Sequence, residues 1–223
     1  PPPPPPRQEK PRVAGWASSR HVEKLSRGLV ALRSEGSVYL GWRLLKNDPE
    51  GVAFNVWRTS RGPAVKLNLK PVADTTDFID RLPDFGAFYH VTPVLAGKDG
   101  TASEAVKADN DPSQPYKVVP VGHPVQKVGY GDLNGDGTMD FVVKHPSVNL
   151  VDPYFTFWKK STDTYKLEAF LHDGTRLWEK DLGWAIELGI WYSPYVVFDF
   201  NGNGRAEVAV KTGEGDPRDH EGK

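Results

Sequence analysis

An all-β fold is what this sequence predicts, and three observations predict it. Apolar and polar residues alternate in short runs bounded by turn residues, the period of two that a strand buried on one face requires. A loop rich in Asp, Asn and Gly occurs twice in register, Asp132 to Lys144 matching Asp199 to Lys211 at an offset of 67 residues; repeats of that length mark solenoids, propellers or arrays. No stretch shows a convincing helical period. The expected order is a Pro-rich tail or linker over residues 1–20, a β-sandwich over 21–115, and from 116 to 223 the first blades of a calcium-binding β-propeller.

Composition narrows the function. Lys and Arg number 28 against 29 Asp and Glu, a net charge of −1, so no global field recruits nucleic acid or an anionic membrane. Seven Trp, eight Tyr and ten Phe supply surface for sheet packing and for stacking on sugar rings. Cysteine is absent, which removes disulfides and thiolate metal sites. No apolar run approaches the roughly 18 residues of a spanning helix. Calcium loops of modest charge serve where calcium is abundant, so a secreted, periplasmic or cell-surface protein is expected.

The prolines that open residues 1–20 lack amide donors, and the segment has little to bury, hence an extended tail. Val38, Leu40, Trp42 and Leu44 alternate with Ser37, Tyr39, Gly41 and Arg43 as a strand with one buried face. Asn47-Asp48-Pro49-Glu50-Gly51 turns the chain. Ala53 to Arg58 follows as a strand, and Val65 to Leu69, Asp77 to Asp80 and Ala87 to Leu95 continue at the short spacing of a β-sandwich. Trp42 with Phe54-Asn55-Val56-Trp57-Arg58 resembles a fibronectin type III module, in which a core Trp packs on an aromatic of the next strand; that role is scaffold. Asp99 to Pro115 reads as a polar linker. Tyr165 to Leu171, the turn His172-Asp173-Gly174-Thr175 and Arg176 to Leu182 form a predicted hairpin. Tyr195 to Phe200 enters the second loop, and Phe141 to Val143 and Val208 to Val210 leave the two loops. About four strands per unit suit a propeller blade. Two blades cannot close a ring, so the remainder of the propeller is expected in further sequence or another chain.

The loops carry metal-ligand chemistry. Asp132, Asn134, Asp136, Thr138 and Asp140 place oxygens at alternate positions, as do Asp199, Asn201, Asn203, Arg205 and Glu207, with glycines between them to turn the backbone. A calcium ion takes six to eight oxygens, and alternate side chains plus a backbone carbonyl near the seventh position, here Thr138 or Arg205, can wrap it. Neither copy is an EF-hand, whose about twelve-residue loop ends in a bidentate glutamate before a helix; Val143 and Val210 stand there instead. With Asn203 where the first loop has Asp136, the second site carries less charge.

In order, the run Arg20 to Arg33, then Gly41 to Pro49, then Phe54 to Arg58, and then the loops ending in Val-Val-Lys and Ala-Val-Lys resemble the family 11 polysaccharide lyases, the rhamnogalacturonan lyases. The resemblance runs from Arg20 to Lys223. It implies a fibronectin-like domain before an eight-bladed, calcium-rich propeller whose groove cleaves the pectin backbone, an acidic polysaccharide, by β-elimination. Such a lyase needs a cation at the uronate carboxylate and a base for the C5 proton. Lys144, His145 and Lys211, at the ends of the post-loop strands, are the candidates for catalysis; Asn149, Trp191 and Tyr192 are those for substrate contact. The family follows its first Val-Val-Lys with a tryptophan and a Pro-Ser-Asn run, where this chain has Lys144-His145-Pro146-Ser147-Val148-Asn149. Its Gly-Ala-His-Tyr-Thr run is here Gly189-Ile190-Trp191-Tyr192-Ser193. These departures leave open another rhamnose-bearing acidic polymer such as ulvan. A non-catalytic adhesion or carbohydrate-binding protein stabilised by calcium is the alternative from a different class. A glycoside hydrolase would need two further carboxylates about 5–10 Å apart, and Asp152, Asp163 and Asp173 offer no such pattern.

Overall fold

A computed structural model describes residues 22–114, 116, 118–147, 163–186, 188–189 and 193–213. The described residues contain strands and turns and no helix. The first part is built from β1 (Val30–Ser34), β2 (Ser37–Gly41), β3 (Ala53–Thr59), β4 (Val65–Lys66), β5 (Asp77–Asp80), β6 (Phe88–Leu95), β7 (Lys98–Asp99) and β8 (Val106–Lys107). They form two antiparallel sheets, β1-β2-β5 and β4-β3-β6-β7, with β8 also pairing with β6. The inward faces of both sheets share one core of Ala31, Val38, Leu40, Phe54, Val56, Tyr89 and Val91, so this part is a β-sandwich.

The alternation read from Val38 to Trp42 holds for a simple reason. Val38, Leu40 and Trp42 point into the core while Tyr39 stays partly exposed, and Trp42 meets the Phe54 ring edge-on at 5.4 Å between centroids. The pattern stops there. Leu44 is exposed because β2 ends at Gly41 and the chain enters a turn in which Asp48 accepts from the Leu45 amide. The strand expected over Val65 to Leu69 shortens to Val65–Lys66, and Leu69 is fully exposed. Asn68 is responsible: its amide side chain is buried and bonds the Val56 amide and the Phe54 and Lys70 carbonyls, replacing ladder bonds with side-chain ones.

The second part holds β9 (Lys127–Gly131), β10 (Asp140–His145), β11 (Lys166–Phe170) and β12 (Arg176–Asp181), an antiparallel meander in sequence order. Then comes the hairpin β13 (Tyr195–Phe198) and β14 (Glu207–Val210). The 67-residue offset superposes β14 on β10, so the hairpin begins a second copy of the meander's first half. The two copies are pressed together. A Cβ on Gly129 or Gly131 would lie within 2.8 Å of Tyr195, Val197 or Ala206, so glycine on β9 is what lets the β13 side chains approach the strand. Between the copies sits a second core of Val142, Tyr165, Leu167, Ala169, Ile186 and Leu188, with Tyr195, Val197, Val208 and Val210 against it.

Candidate functional site

The repeated loops adopt one conformation twice. In the first, the buried Asp132 accepts from three loop amides, those of Gly135 and Asp136 on Oδ1 and of Gly137 on Oδ2. In the second, Asp199 takes the amides of Gly202, Asn203 and Gly204 in the same way. Asn134 and Asn201 accept from Asp136 and Asn203, and Asp136 and Asn203 accept from Thr138 and Arg205. The middle two alternate side chains of each loop therefore cap the amide two residues on. Gly135, Gly137, Gly202 and Gly204 all have φ between +75 and +91°, the left-handed region that side chains with a Cβ rarely enter.

The closing carboxylate differs in length and keeps its job. Asp140 accepts from the Leu133 amide at 2.9 Å, and Glu207, 67 residues on, accepts from the Phe200 amide at 2.9 Å. Asp140 is wholly buried and also takes the His172 amide at 2.8 Å. His172 is thereby held at the loop's edge, its Nδ1 3.5 Å from Asp140 and 3.9 Å from Asp136. Burial pulls Asp136 up, but hydrogen bonds from Asn134 and Thr138 outweigh it and keep the carboxyl below its usual range. The donors offered are oxygens that retain lone pairs beyond those the amides use, so both loops fit a hard divalent cation.

The segment before β1 docks on both loops. Ser26 donates its amide and hydroxyl to the Gly137 carbonyl at 2.9 and 2.8 Å, and the Asp199 amide donates to Glu23 at 3.3 Å. Burial lowers the Arg43 guanidinium while the charges of Asp132 and Glu23 draw it back up, and its Nη2 donates to the Gly137 carbonyl at 3.4 Å. A cavity of about 590 Å³ opens along the same seam, lined by Leu29, Ala31, Met139 and Phe141 among others. Arg27, Arg43, Lys107 and His172 line it as well.

Lys144, His145 and Lys211 do not come together. Lys144 is wholly buried, its Nζ 2.5 Å from the Gly189 carbonyl and 4.6 Å from the Tyr165 ring centre. Burial, with Lys127 nearby, pushes its amine down to about 8. This catalytic candidate is thus enclosed, because β10 is an interior strand of the meander and nearly every residue along it is buried. His145 is buried as well, whereas Lys211 is exposed just beyond β14. Asn149, Trp191 and Tyr192 lie outside the described residues.

His145 instead joins a group that sequence reasoning missed. Its ring stacks on His123 at 3.9 Å between centroids and 25° between planes. His123 Nε2 lies 2.7 Å from Glu168 Oε2, and the other Glu168 oxygen accepts from Arg176 Nε. Burial pulls Glu168 up, but the His123 and Arg176 hydrogen bonds and the Arg176 charge outweigh it, leaving the carboxyl below its usual range. Burial, then the His123 charge, lowers His145, which favours the neutral ring. His123 and Glu168 are 45 residues apart and carry no shared motif; the departure at His145 was the signal available.

Comparison with known proteins agrees with this architecture. The model of the rhamnogalacturonan I lyases' beta-sheet domain matches residues 20–108, and that of the rhamnogalacturonan lyase family 11 C-terminal domain matches 117–223. The chain is similar to the rhamnogalacturonan endolyase YesW of Bacillus subtilis, 34% identical over 91% of this chain and 33% of that protein. It is also similar to the rhamnogalacturonan exolyase YesX of the same organism, 30% identical over 88% and 33%. The solved structure of a Bacillus licheniformis rhamnogalacturonan lyase of family 11 superposes with a TM-score of 0.73 at 34% identity, over 89% of this chain and 35% of that one. The chain spans about a third of the length of these relatives. With both family models matching in order and two relatives at 30% identity or better, the chain belongs to the family 11 rhamnogalacturonan lyases.

Proposed function

We propose that this chain is the N-terminal part of a secreted, calcium-dependent lyase that cleaves the rhamnogalacturonan I backbone at galacturonate by β-elimination. The observation that carries the reading is the pair of superposable Asx loops inside a chain matched in order by both family models. The sandwich over 21–115 serves as a fibronectin type III-like scaffold. The meander and following hairpin are the first blades of an eight-bladed propeller whose remainder lies in further sequence or in another chain.

Asp132, Asn134, Asp136, the Thr138 carbonyl and Asp140 hold one ion; Asp199, Asn201, Asn203, the Arg205 carbonyl and Glu207 hold another. Calcium, when bound, supplies the charge that balances these facing oxygens. The chain's own contribution is preorganisation, since Asp132 and Asp199 already gather three amides each. Docking of Ser26 and Glu23 then ties the sandwich to both loops.

In the elimination, the C5 proton beside the uronate carboxylate goes to a base, the C4–C5 double bond forms and the C4 oxygen leaves with the rest of the polymer. Lys211, exposed after β14, is the described candidate able to reach a uronate. Lys144, closed in by Gly189 and Tyr165, supports the strand rather than the sugar.

The test is ultraviolet absorbance of the unsaturated uronide, followed with the full-length protein on rhamnogalacturonan and on ulvan, with and without chelator. A chelator-sensitive rise on rhamnogalacturonan is expected. A rise on ulvan alone reassigns the polymer. No rise on either, from protein whose melting temperature still responds to calcium, leaves the adhesion reading in its place.

A further inference from the structure

The His123, His145 and Glu168 cluster lies apart from the Asx loops, at the opposite end of β10, and it has different chemistry. Each residue offers a donor atom, and the three atoms lie within 4.8 Å of one another. His145 and Glu168 are 8 and 4% exposed. Two imidazole nitrogens, His123 Nδ1 and His145 Nε2, are buried and have no hydrogen-bond partner among the described residues. Buried polar atoms in folded proteins are nearly always paired, so the His145 Nε2 orphan, beside His123 and Glu168, asks for a partner.

We propose that these three side chains form a binding site for a divalent transition metal of the zinc class, a clip that pins the segment before β9 to β10 and β11. The donor set selects the metal. Two imidazoles and one carboxylate match the preference of zinc and its first-row neighbours, whereas calcium takes oxygens. The site is also pre-oriented. Arg176 holds the second oxygen of Glu168 and is itself held by Glu179 at 2.6 Å, the kind of outer contact that fixes a metal-ligating carboxylate.

Occupancy requires two local changes: the imidazole planes, now stacked at 25°, swing apart so that both in-plane nitrogen lone pairs face one ion, and the ligand atoms move apart. Ligand atoms about 2.0–2.2 Å from a tetrahedral ion stand roughly 3.3–3.5 Å apart, so His123 Nε2 and Glu168 Oε2, now at 2.7 Å, separate by somewhat under an ångström as the ion replaces their hydrogen bond. The exposed edge of His123, whose side chain is 30% accessible, provides the entry path and leaves room for a water as the fourth ligand. His145 and Glu168 come from paired strands, His145 facing Lys166 and Glu168 facing Val143 across the ladder, so the ion would cross-link elements that hydrogen bonds already align.

The experiment uses full-length protein stripped of metal and returned to excess calcium, which fills the oxygen loops. Cobalt(II), a coloured substitute for zinc, is titrated in. The proposal expects visible ligand-field bands of a low-coordinate nitrogen and oxygen site, saturating at one equivalent, erased by zinc, with a higher melting temperature in zinc. His123→Gln and Glu168→Gln are each expected to lose that equivalent while keeping the calcium-dependent melting shift, which shows that they fold. His145→Phe preserves the stacked ring, removes the ligand nitrogen, and is expected to lose the bands too. Absence of bands in the parent protein overturns the proposal, as does an unchanged cobalt equivalent in the three variants. No step of the elimination runs through this ion, so either result leaves the lyase assay to be judged separately.

Discussion

Asp132 shows how one side chain shapes a site before any ligand arrives. Its two oxygens gather three amides, and hydrogen bonds to a charged group contribute about 1.5–3 kcal/mol each. Asp132→Ala is therefore expected to lower stability by several kcal/mol and to abolish the calcium-dependent melting shift of the first loop. Equal melting of variant and parent in chelator would sink that account. Asp48 makes a second residue-scale case. Arg27 donates to both its oxygens, and that pairing, with the Leu45 amide, holds its carboxyl below the usual range against a smaller upward pull from burial. A carboxyl depressed in the folded state stabilises above its unfolded pKa of about 3.9 and loses that contribution as pH falls through the folded value. Asp48→Asn should cost about 2 kcal/mol at neutral pH, with the melting difference from the parent shrinking as pH falls below the unfolded carboxyl's value of about 3.9. A constant difference across that window would contradict the ion pair. Asp132 was legible from its motif; Arg27 with Asp48 was not, because a pair 21 residues apart follows from the turn after β2 rather than from spacing.

At the scale of elements, glycines and turns decide how strands meet. Gly131 lies against β13, and an added Cβ would sit 2.6 Å from Val197 and 2.7 Å from Ala206. Gly131→Ala is expected to cost about 1–3 kcal/mol, the usual price of overpacking, measured by denaturant unfolding; an unchanged midpoint would show that the two copies slide apart freely. The β6–β7 hairpin makes the opposite prediction. Its two-residue link puts Ala96 at φ +49° and Gly97 at +78°, a turn that favours Asn or Gly at both positions. Ala96→Asn should stabilise by about 0.5–1 kcal/mol, since Asn tolerates the left-handed region better than Ala; a lower midpoint would refute this. The strands of both parts were legible in their period and turn residues. The shortened β4 was not, because Asn68 exchanges ladder bonds for side-chain bonds that periodicity does not register.

Across the whole molecule, the sandwich and the repeat meet at the first loop. A Cβ on Gly137 would lie 2.9 Å from the Ser26 amide nitrogen, on a residue already at φ +83°. Gly137→Ala should therefore damage loop and docking together, read as earlier proteolytic cleavage between the two parts and a lower melting temperature. Cleavage at the parent's rate would mean that the Ser26 contact does not hold them.

The sequence by itself determined the all-β class and the two oxygen-rich loops, because strand period, turn chemistry and a 67-residue repeat are written along the chain, and its ordered motifs carried the resemblance to the family. Only the tertiary structure decided that Lys144 is enclosed and that His123, His145 and Glu168 meet. Burial and cross-strand contact arise when the meander closes its ladder and the next hairpin covers it, and no local pattern in the chain encodes which distant side chains that packing brings face to face.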